Sequence, residues 1–470
     1  MNILEKLKEK GFDTIPAGFY AQIDLWKSWY DGKVKDFHNY KVFNGQETVN
    51  CERYTLGMGK KVAEDWANLL MNEKVKITLE GNKEQKFFDS VCSDNNFEVK
   101  ANEMQEMKSA LGTAAYVVRA SDVTINRESG MIADTGRGQL KIDYVAAPNI
   151  FPISWENGIV KECAFTSNVT RNGENYLYLQ IHRIGDDGNY IVENEIYHDE
   201  NGNLTLANMS DVRGFESVPP VVRTGSPERQ FVIDRLNIAN NYDNTLPMGI
   251  PAFANAIDQL KGTDIAYDSY VNEFALGKKR IMIKPGATKT LDGEPIFDVK
   301  ELVFYVLPED TTDGNIIQPI DMTLRTADHN AGLQDMLKTL SSKCGFGENH
   351  YRFDNGGIAT ATQIISENSS MFRTIKKHEI ILESVLKELC RIILRLGNAI
   401  LKKSFNEEVE ISIDFDDSII ESREQEEARV YQMLDSSLMK ADEARSILRN
   451  EDIETARAAL PNMEAQLVSP

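Results

Sequence analysis

The stretch "NGGIATATQIISENSSMFRTIKKHEIILESVLKELCRIILRLGNAILKK", residues 355–403, is dominated by one uninterrupted helical pattern. Thr360 and Gln363 have the S/T-x-x-E/Q spacing that lets side chains satisfy the free amides of a first helical turn. Apolar residues then recur at three-to-four spacing, which keeps one stripe on one side of a helix. They are Met371, Phe372, Ile375, Leu382, Val385, Leu386, Leu389, Ile392, Ile393, Leu396 and Ile400. Because no proline intervenes, a helix from Thr360 to Lys402 would be roughly 60 Å long at 1.5 Å rise per residue.

A helix of this length can be a coiled-coil arm or a spine within a folded core. A coiled coil needs strict a/d heptads, whereas this apolar stripe is wider. The pattern therefore favours a spine that packs on several neighbours.

The segment just before the spine, "FGENHYRFDNGGIA" (346–359), has the composition of a loop. Gly356 and Gly357 supply backbone freedom that any side chain would restrict. Tyr351 and Arg352 offer a stacking face and a phosphate contact. The mixture favours a moving contact, and an ordinary surface connection between two helices is the alternative. The candidate residues are His350, Tyr351, Arg352, Asp354, Gly356 and Gly357.

The N-terminal half changes its periodicity partway along. Three-to-four apolar spacing predicts helices at 17–32, 53–77 and 101–118. From about Gln139 short aromatic or β-branched runs follow, and Asn-Gly between such runs is the strongest short-range hairpin signal. An antiparallel meander is therefore predicted. Its joints are Asn157-Gly158, Asn172-Gly173, 185–188 and Asn201-Gly202.

The C-terminal half predicts two helices around a small module. Pro251 opens a helix that ends at Gly277, and a second helix covers 327–344. Between them, two or three strand-like runs separated by Pro-Gly and Asp-Gly predict an αβ or β module. One strand (409–417) and acidic helices follow the spine. The fold class is therefore α+β and mainly helical.

Composition bounds the class of protein. The chain has 470 residues, 41% hydrophobic and 27% charged, which is an ordinary globular composition. The start "MNILEKLKEKGFD" lacks the apolar segment of a signal peptide, and no run approaches the roughly 20 apolar residues that span a bilayer. We expect a protein made in the cytosol without membrane contact. Five scattered cysteines without a CxxC pair predict reduced, mostly buried thiols.

Negative charge dominates the surface. The net charge of -21 repels nucleic acid at long range. From Ser404 onward 17 Asp and Glu stand against 6 Lys and Arg, so about half of the charge comes from a seventh of the length. The residues leave two interpretations open: a solvated acidic face, or a surface that passes a polyanion without holding it.

Motifs of enzymes and metal sites are weak in this chain. "GMGKK" (57–61) lacks the spacing of a phosphate loop, and "DENGN" (199–203) is followed by Leu204 where a calcium loop needs glycine. The six histidines show no paired-ligand spacing, and no G-x-S-x-G elbow is present. The sequence predicts no catalytic site, no cofactor and no metal.

Six segments carry a family resemblance, in order from about Trp26 to Ile420. They are "DLWKSWYDG", "ERYTLGMGKKVAEDWANLLMNEKVKI", "ALGTAAYVV", "APNIFPISWENG", "PMGIPAFANAIDQLKGTDIAYDSYVNEFALGKKRIMI" and "GIATATQIISENSSMFRTIKKHEIILESVL". Together they resemble the portal proteins of long-tailed double-stranded DNA phages, the type found in phages of Gram-positive bacteria. The chain is short after Ile447, so the resemblance implies a reduced helical crown.

The resemblance implies a ring, usually of twelve subunits, at one capsid vertex, through which DNA is packed and later ejected. It divides the chain into a wing of N-terminal helices and β meander (1–250), a stem helix (251–277), a clip (278–324), a second stem helix (325–347), a tunnel loop (348–359), a wing spine helix and strand (360–420) and a short helical crown (421–470). The loop residues above then become the candidate DNA-channel loop.

Basic side chains take two implied roles. Lys278, Lys279 and Arg280 at the junction of stem and clip are candidate basic groups of the channel. On the spine, salt bridges to a neighbouring subunit are expected. The spine residues concerned are Arg373, Lys377, Lys387, Arg391 and Arg395.

The implied partners are further copies of the chain, double-stranded DNA, the terminase large subunit, the head-tail adaptor, and the major capsid and scaffold proteins. The implied location is the portal vertex of the virion, after assembly in the host cytoplasm. One alternative is another phage structural protein, of capsid or tail, without a DNA channel. The other is a packaging enzyme, against which the missing phosphate loop counts.

Overall fold

Helices and strands occur largely in separate runs along the chain, in agreement with the predicted α+β class. The computed structural model describes residues 2–43, 45–72, 75–126, 129–134, 138–277, 280–283, 304–306, 317–320, 323–352, 361–415, 430–436, 438–449 and 453–459. Within these ranges, none of the helices combines the length and apolar character needed to cross a membrane.

Twelve helical segments are described. They are α1 (Ile3–Glu9), α2 (Ala17–Tyr30), α3 (Lys35–His38), α4 (Met58–Leu70), α5 (Asn82–Asp94), α6 (Phe97–Leu111), α7 (Ile257–Leu276), α8 (Thr326–Lys343), α9 (Ala361–Ala399), α10 (430–435), α11 (Ala441–Arg449) and α12 (Ile453–Ala459).

The described strands fall into several small sheets. They are β1 (Asn39–Phe43), β2 (Thr48–Glu52), β3 (Lys76–Leu79), β4 (Thr113–Ser121), β5 (Thr124–Ile125), β6 (Ile132–Asp134), β7 (Gln139–Ala146), β8 (Ile150–Glu156), β9 (Ile159–Arg171), β10 (Glu174–Ile184), β11 (Tyr190–Glu200), β12 (Asn203–Ala207), β13 (Val221–Arg223), β14 (Phe231–Arg235), β15 (Arg280–Ile283), β16 (Phe304–Val306), β17 (Ile317–Ile320) and β18 (Ile411–Asp414).

Two of the three predicted N-terminal helices need correction. The helix at 17–32 is confirmed as α2, but 53–77 is helical only over α4. Its last residues enter β3, which pairs antiparallel with β18. That partner is more than 300 residues away in the sequence, so local periodicity could not indicate it.

The predicted helix at 101–118 is wrong in its second half. α6 ends at Leu111, and Gly112 has φ 87°, a left-handed conformation that glycine adopts at little cost. A Cβ at Gly112 would lie 2.4 Å from the carbonyl oxygen of Gly249, and a Cβ at Gly249 would meet the carbonyl oxygen of Gly112 at the same distance. The chain therefore leaves α6 through a contact between two backbones and continues as β4.

A central sheet in the order β14-β4-β7 anchors the main core. Residues 114–118 of β4 are buried, and α6 packs against this sheet. Lys108 of α6 and Asp234 of β14 form an ion pair at 3.1 Å, with both side chains 0% exposed. Gln105 donates a further hydrogen bond to Asp234 at 2.8 Å. Because breaking a buried pair leaves an uncompensated charge, this contact ties α6 firmly to the sheet.

The predicted meander is confirmed from β8 onward, but residues 139–146, where it was expected to begin, form β7 of the central sheet instead. β8, β9, β10, β11 and β12 pair antiparallel in sequence order, and β13 adds to β11. Asn157, Asn172 and Asn201 have φ between 51° and 54°, as tight turns of this kind require. One face of the sheet packs against Leu7 of α1.

α7 and α8 run antiparallel and bracket the strand module. Gly262 of α7 lies near Met336, while Gly277 at the other end lies near Leu324. Between the two helices the structure describes β15, β16 and β17 in one small sheet, which confirms the strand-like runs.

The spine prediction is confirmed by α9. The predicted stripe is buried except for the half-buried Phe372. α9 contacts α4, α5, β4, β7, β14 and β18, so it packs on several neighbours and is no coiled-coil arm. It ends close to the predicted Lys402, whose φ of 52° stops the helix.

The cysteines are free thiols, as predicted. Cys163, Cys344 and Cys390 are buried, while Cys51 and Cys92 are half-buried. Across the described ranges, no group of three or more His, Cys, Asp or Glu side chains is arranged to hold a metal ion.

Candidate functional site

The loop between α8 and α9 begins with a tightly fixed turn. Gly345 has φ 89°, and the amide of Phe346 donates to the carbonyl of Ser341 at 3.0 Å. The hydroxyl of Ser341 donates to the carbonyl of Gly347. A Cβ at Gly345 would lie 3.0 Å from Thr374 of α9. The chain thus leaves α8 through a turn wedged against the spine.

Four aromatic side chains then lock the base of the loop. The ring of Phe346 stacks on that of Trp66 of α4, with ring centroids 4.8 Å apart, and on that of His350, with centroids 4.4 Å apart. The planes of the Phe346 and His350 rings are nearly parallel. Tyr351 meets the edges of Phe346 at 5.5 Å and His350 at 4.8 Å. Offset and edge-on ring pairs of this kind add to the stabilisation from burial. Residues 346–351 are therefore a packed unit.

Polar groups hold the same unit to α4. The indole nitrogen of Trp66 donates to the carbonyl of Cys344 at 3.0 Å, and His350 Nε2 lies 3.4 Å from Asp65. Burial alone would raise the pKa of Asp65, but hydrogen bonds from His350 and Lys61 outweigh it and lower the pKa. Asp65 is therefore a carboxylate at neutral pH, suited to hold the His350 ring.

The predicted loop residues divide into two groups. His350 belongs to the stack, and Tyr351 is buried within it, so the tyrosine ring presents no open stacking face in this conformation. Burial, followed by the charge of Asp65, raises the pKa of Tyr351 well above its ordinary value. Arg352 is exposed at the end of the packed unit. Asp354, Gly356 and Gly357 lie outside the described residues.

The predicted basic group near the strand module is only partly described. Lys278 and Lys279 lie outside the described residues. Arg280 opens β15, where its backbone pairs opposite Ile320 of β17. The structure thus places Arg280 at the start of the module, next to the end of α7.

A clasp closes the two ends of the segment between α7 and α8. Glu273 accepts two hydrogen bonds from the Arg325 guanidinium, at 3.1 and 2.8 Å, and one from the Arg325 amide at 3.1 Å. His329 lies 3.3 Å from the same carboxylate. The fork of arginine matches a carboxylate in two places, which fixes orientation as well as distance. The end of α7 and the start of α8 are therefore joined in a defined geometry at the point where the strand module begins and ends.

The spine cations are partly engaged within the chain. Arg395 pairs with Glu388 at 3.1 Å and with Glu228 at 3.5 Å, and Lys387 pairs with Glu383. These two side chains therefore have ion-pair partners within the chain, and salt bridges to a neighbouring subunit stay a prediction. Nε of Arg391 differs, because it is buried without an acceptor among the described residues.

Sequence reasoning missed Trp66, Asp65 and Phe346 as parts of the site. Trp66 and Asp65 come from α4, which is remote in sequence, and their periodicity indicates only a helix. Phe346 directly follows the glycine that ends α8, and a hydrophobic residue after such a glycine is a known helix-end signal. That signal could have indicated a fixed loop base.

The comparison with known proteins agrees with this architecture. Residues 15–445 match the family described as "Phage portal protein, SPP1 Gp6-like". No curated protein matches the chain. The family match extends from α2 to α11 and includes the loop base, the clasp and the spine. The chain therefore belongs to the SPP1 Gp6-like family of phage portal proteins, structural virion components that act in DNA packaging.

Proposed function

We propose that copies of this chain form a ring at one capsid vertex, the channel through which DNA is packed and later ejected. The observation that carries the proposal is the family match over residues 15–445. It is supported by two antiparallel helices that bracket a strand module and lead directly into a loop with a fixed base. The ring has twelve subunits, as the resemblance implies.

Each part of the chain takes one role in this proposal. The stem is 251–277 with 325–347, and the clip, 278–324, docks the terminase large subunit and later the head-tail adaptor. The clasp between Glu273 and Arg325 supports this, because it joins the two stem helices at the end from which the clip extends. The wing (1–250 with the spine, 360–420) and the short crown (421–470) face the major capsid and scaffold proteins.

The tunnel loop, 348–359, is proposed to touch the passing DNA. Because the base of the loop is packed, we assign its residues two different roles. Residues 348–351 fix the position of the loop, and the proposed contact with DNA begins at Arg352. Arg352 is an exposed residue, and a guanidinium is the group that best matches a phosphate. Gly356 and Gly357 supply the backbone freedom that a moving contact needs.

The charge balance suits a channel that passes DNA without binding it tightly. Phosphate neutralisation dominates affinity for DNA, so a strongly basic wall would hold the duplex. The chain carries a net charge of -21, with Arg352, Lys278, Lys279 and Arg280 as the basic groups proposed to face the channel. The ring assembles in the host cytoplasm and remains in the virion of a phage of Gram-positive bacteria.

The mass of the purified assembly tests the proposal. Native mass spectrometry should give about twelve times the 53.0 kDa of one chain, and negative-stain images should show closed rings with a central hole. A monodisperse monomer over micromolar concentrations and varied salt would refute the ring. Nucleotide hydrolysis by the purified chain would instead support a packaging enzyme.

A further inference from the structure

The hairpin formed by β1 and β2 is exposed on both faces. Among the described strands, these two pair only with each other. Val42 lies opposite Val49 across the ladder, with exposures of 45% and 38%, and Phe43 is 66% exposed. An isolated two-stranded hairpin is marginally stable in water. Because this hairpin also exposes three apolar side chains, we expect a binding partner to cover it.

The base of the same hairpin is rigidly mounted. His38 Nε2 lies 3.0 Å from Asp264 of α7, and the amide of Leu56 donates to Asp264 at 2.8 Å. One turn further along α7, Asp268 accepts from the amide of Tyr54 at 3.0 Å. The stem helix therefore fixes both strands where the hairpin begins and ends. The hairpin is therefore attached to the rest of the subunit at both of its ends.

A concave surface of complementary character lies between α9, β14 and the turn at 157–160. This groove has a volume of about 620 Å³. Ile380 and Ile159 in its lining are 65% and 51% exposed. Arg391 also lines it, and its buried Nε has no acceptor among the described residues. The groove thus has exposed apolar side chains, Ile380 and Ile159, that nothing in the described chain covers.

The charges of the two surfaces are opposite in sign. Three guanidinium groups line the groove, and its two carboxylates already have cation partners in the chain. The hairpin carries Glu47 and Glu52 against the single Lys41. The edges of its strands also present backbone carbonyls, which can accept hydrogen bonds from guanidinium groups. The arginines that line the groove are Arg229, Arg235 and Arg391.

We infer that the hairpin of one copy inserts into the groove of the next copy, with Phe43 against Ile380. A projection and a complementary recess on the same chain generate head-to-tail contacts, which close into a ring when the rotation allows it. The inference rests on the proposed ring and assigns one of its interfaces. The guanidinium groups that line the groove then face backbone carbonyls at the edge of the neighbour's hairpin.

Disulfide trapping tests the contact directly. In a Cys51→Ser background, which removes the native thiol of the hairpin, the pair Phe43→Cys and Ile380→Cys is oxidised and run on a non-reducing gel. A disulfide needs Cβ atoms within about 4.5 Å, so only true neighbours react efficiently. The expected result is a ladder of covalent oligomers that ends in a closed ring. Phe43→Cys with Leu206→Cys is the matched control, since Leu206 is equally exposed, at 63%, on β12.

The outcomes separate this inference from the proposed function. Rings without a Phe43–Ile380 crosslink would overturn the hairpin contact and leave the portal ring standing. A monomer under all conditions would overturn both. As a second readout, Ile380→Arg should raise the concentration for half-assembly by roughly tenfold or more, because it places a charge in the apolar contact. Unchanged assembly of Ile380→Arg, with Leu206→Arg as control, would also overturn the inference.

Discussion

Replacing Phe346 by alanine removes the central ring of the Trp66–Phe346–His350 stack. Phe346 is 3% exposed, and truncating a buried phenylalanine costs about 3–5 kcal/mol. Its ring pairs account for part of this, at about 0.5–1.5 kcal/mol each. Since the contacts of Phe346 join the loop base to α4, most of the loss should appear as easier local opening of residues 346–352.

Amide hydrogen exchange measures that opening. The relevant amides are those of Phe346, His350 and Arg352, which donate to nearby carbonyls at 3.0 to 3.2 Å. A loss of about 3 kcal/mol should accelerate their exchange roughly 150-fold, because each 1.4 kcal/mol is a factor of ten. Phe346→Leu keeps most of the volume without the stacking, so it should show an acceleration of about tenfold or less.

The control is Phe274→Ala, which truncates an aromatic ring that is 47% exposed on α7. It should leave exchange at the loop base within about twofold of the wild type, since surface truncations change stability little. Wild-type exchange at 346–352 in a folded Phe346→Ala protein would refute the claim that the ring stack fixes the loop.

Three further predictions concern charge and backbone freedom. Hydrogen bonds from Arg325 lower the pKa of Glu273 to about 2. The contribution of the Glu273 carboxylate to the stability of the folded chain is therefore complete above about pH 4.3, the ordinary pKa of glutamate, and is lost as the pH falls towards 2. Amide exchange at the start of α8 should show this dependence, and a Glu273→Gln protein that kept it would contradict the clasp. Lys108→Met leaves Asp234 buried without its cation and should lower the free energy of unfolding, measured in urea, by about 3–5 kcal/mol. Adding Asp234→Leu should recover part of this loss. An unchanged midpoint of urea unfolding for Lys108→Met alone would disprove the buried pair. Replacing both Gly356 and Gly357 by alanine should leave rings intact and reduce DNA packaging; normal packaging would contradict the tunnel-loop proposal, whereas absent rings would show that the glycines serve the fold.

Long-period patterns were the most informative part of the sequence. The stripe from Met371 to Ile400 is long enough that helical periodicity alone predicts α9 and its two-sided packing. The Asn-Gly joints predict the meander because they select a turn whose twist matches the strands. In both cases the decisive interactions are local or repeated many times.

Short apolar runs were misleading for the opposite reason. Residues 113–118 continue the apolar spacing of the helix before them, yet they form a strand because they pair with β7 and β14. Residues 76–77 become a strand only because β18 arrives from the far end of the chain. The hairpin of β1 and β2 was also missed, since its strands lack the alternating burial that marks a half-buried sheet.

The candidate site was predictable as a loop and only partly as a set of contacts. Composition indicated which segment is unusual, and the structure shows that Tyr351 is packed rather than open. Tyr351 packs on Phe346, and the partner of Phe346, Trp66, lies on a helix 280 residues earlier in the sequence. Contacts of this kind depend on how elements are arranged, which periodicity does not encode.

The meeting of Gly112 with Gly249 sets a rule for how this chain can vary. A Cβ at either glycine would clash with the backbone carbonyl oxygen of the other. Because the clash is with backbone, no change of side-chain rotamer can remove it. Because glycine is already the smallest residue, a mutation at one position has no compensating replacement at the other. We expect relatives to keep both glycines as an inseparable pair. Gly112, just before β4, and Gly249, before α7, can therefore serve as two reference positions when distant homologues with otherwise diverged sequences are aligned.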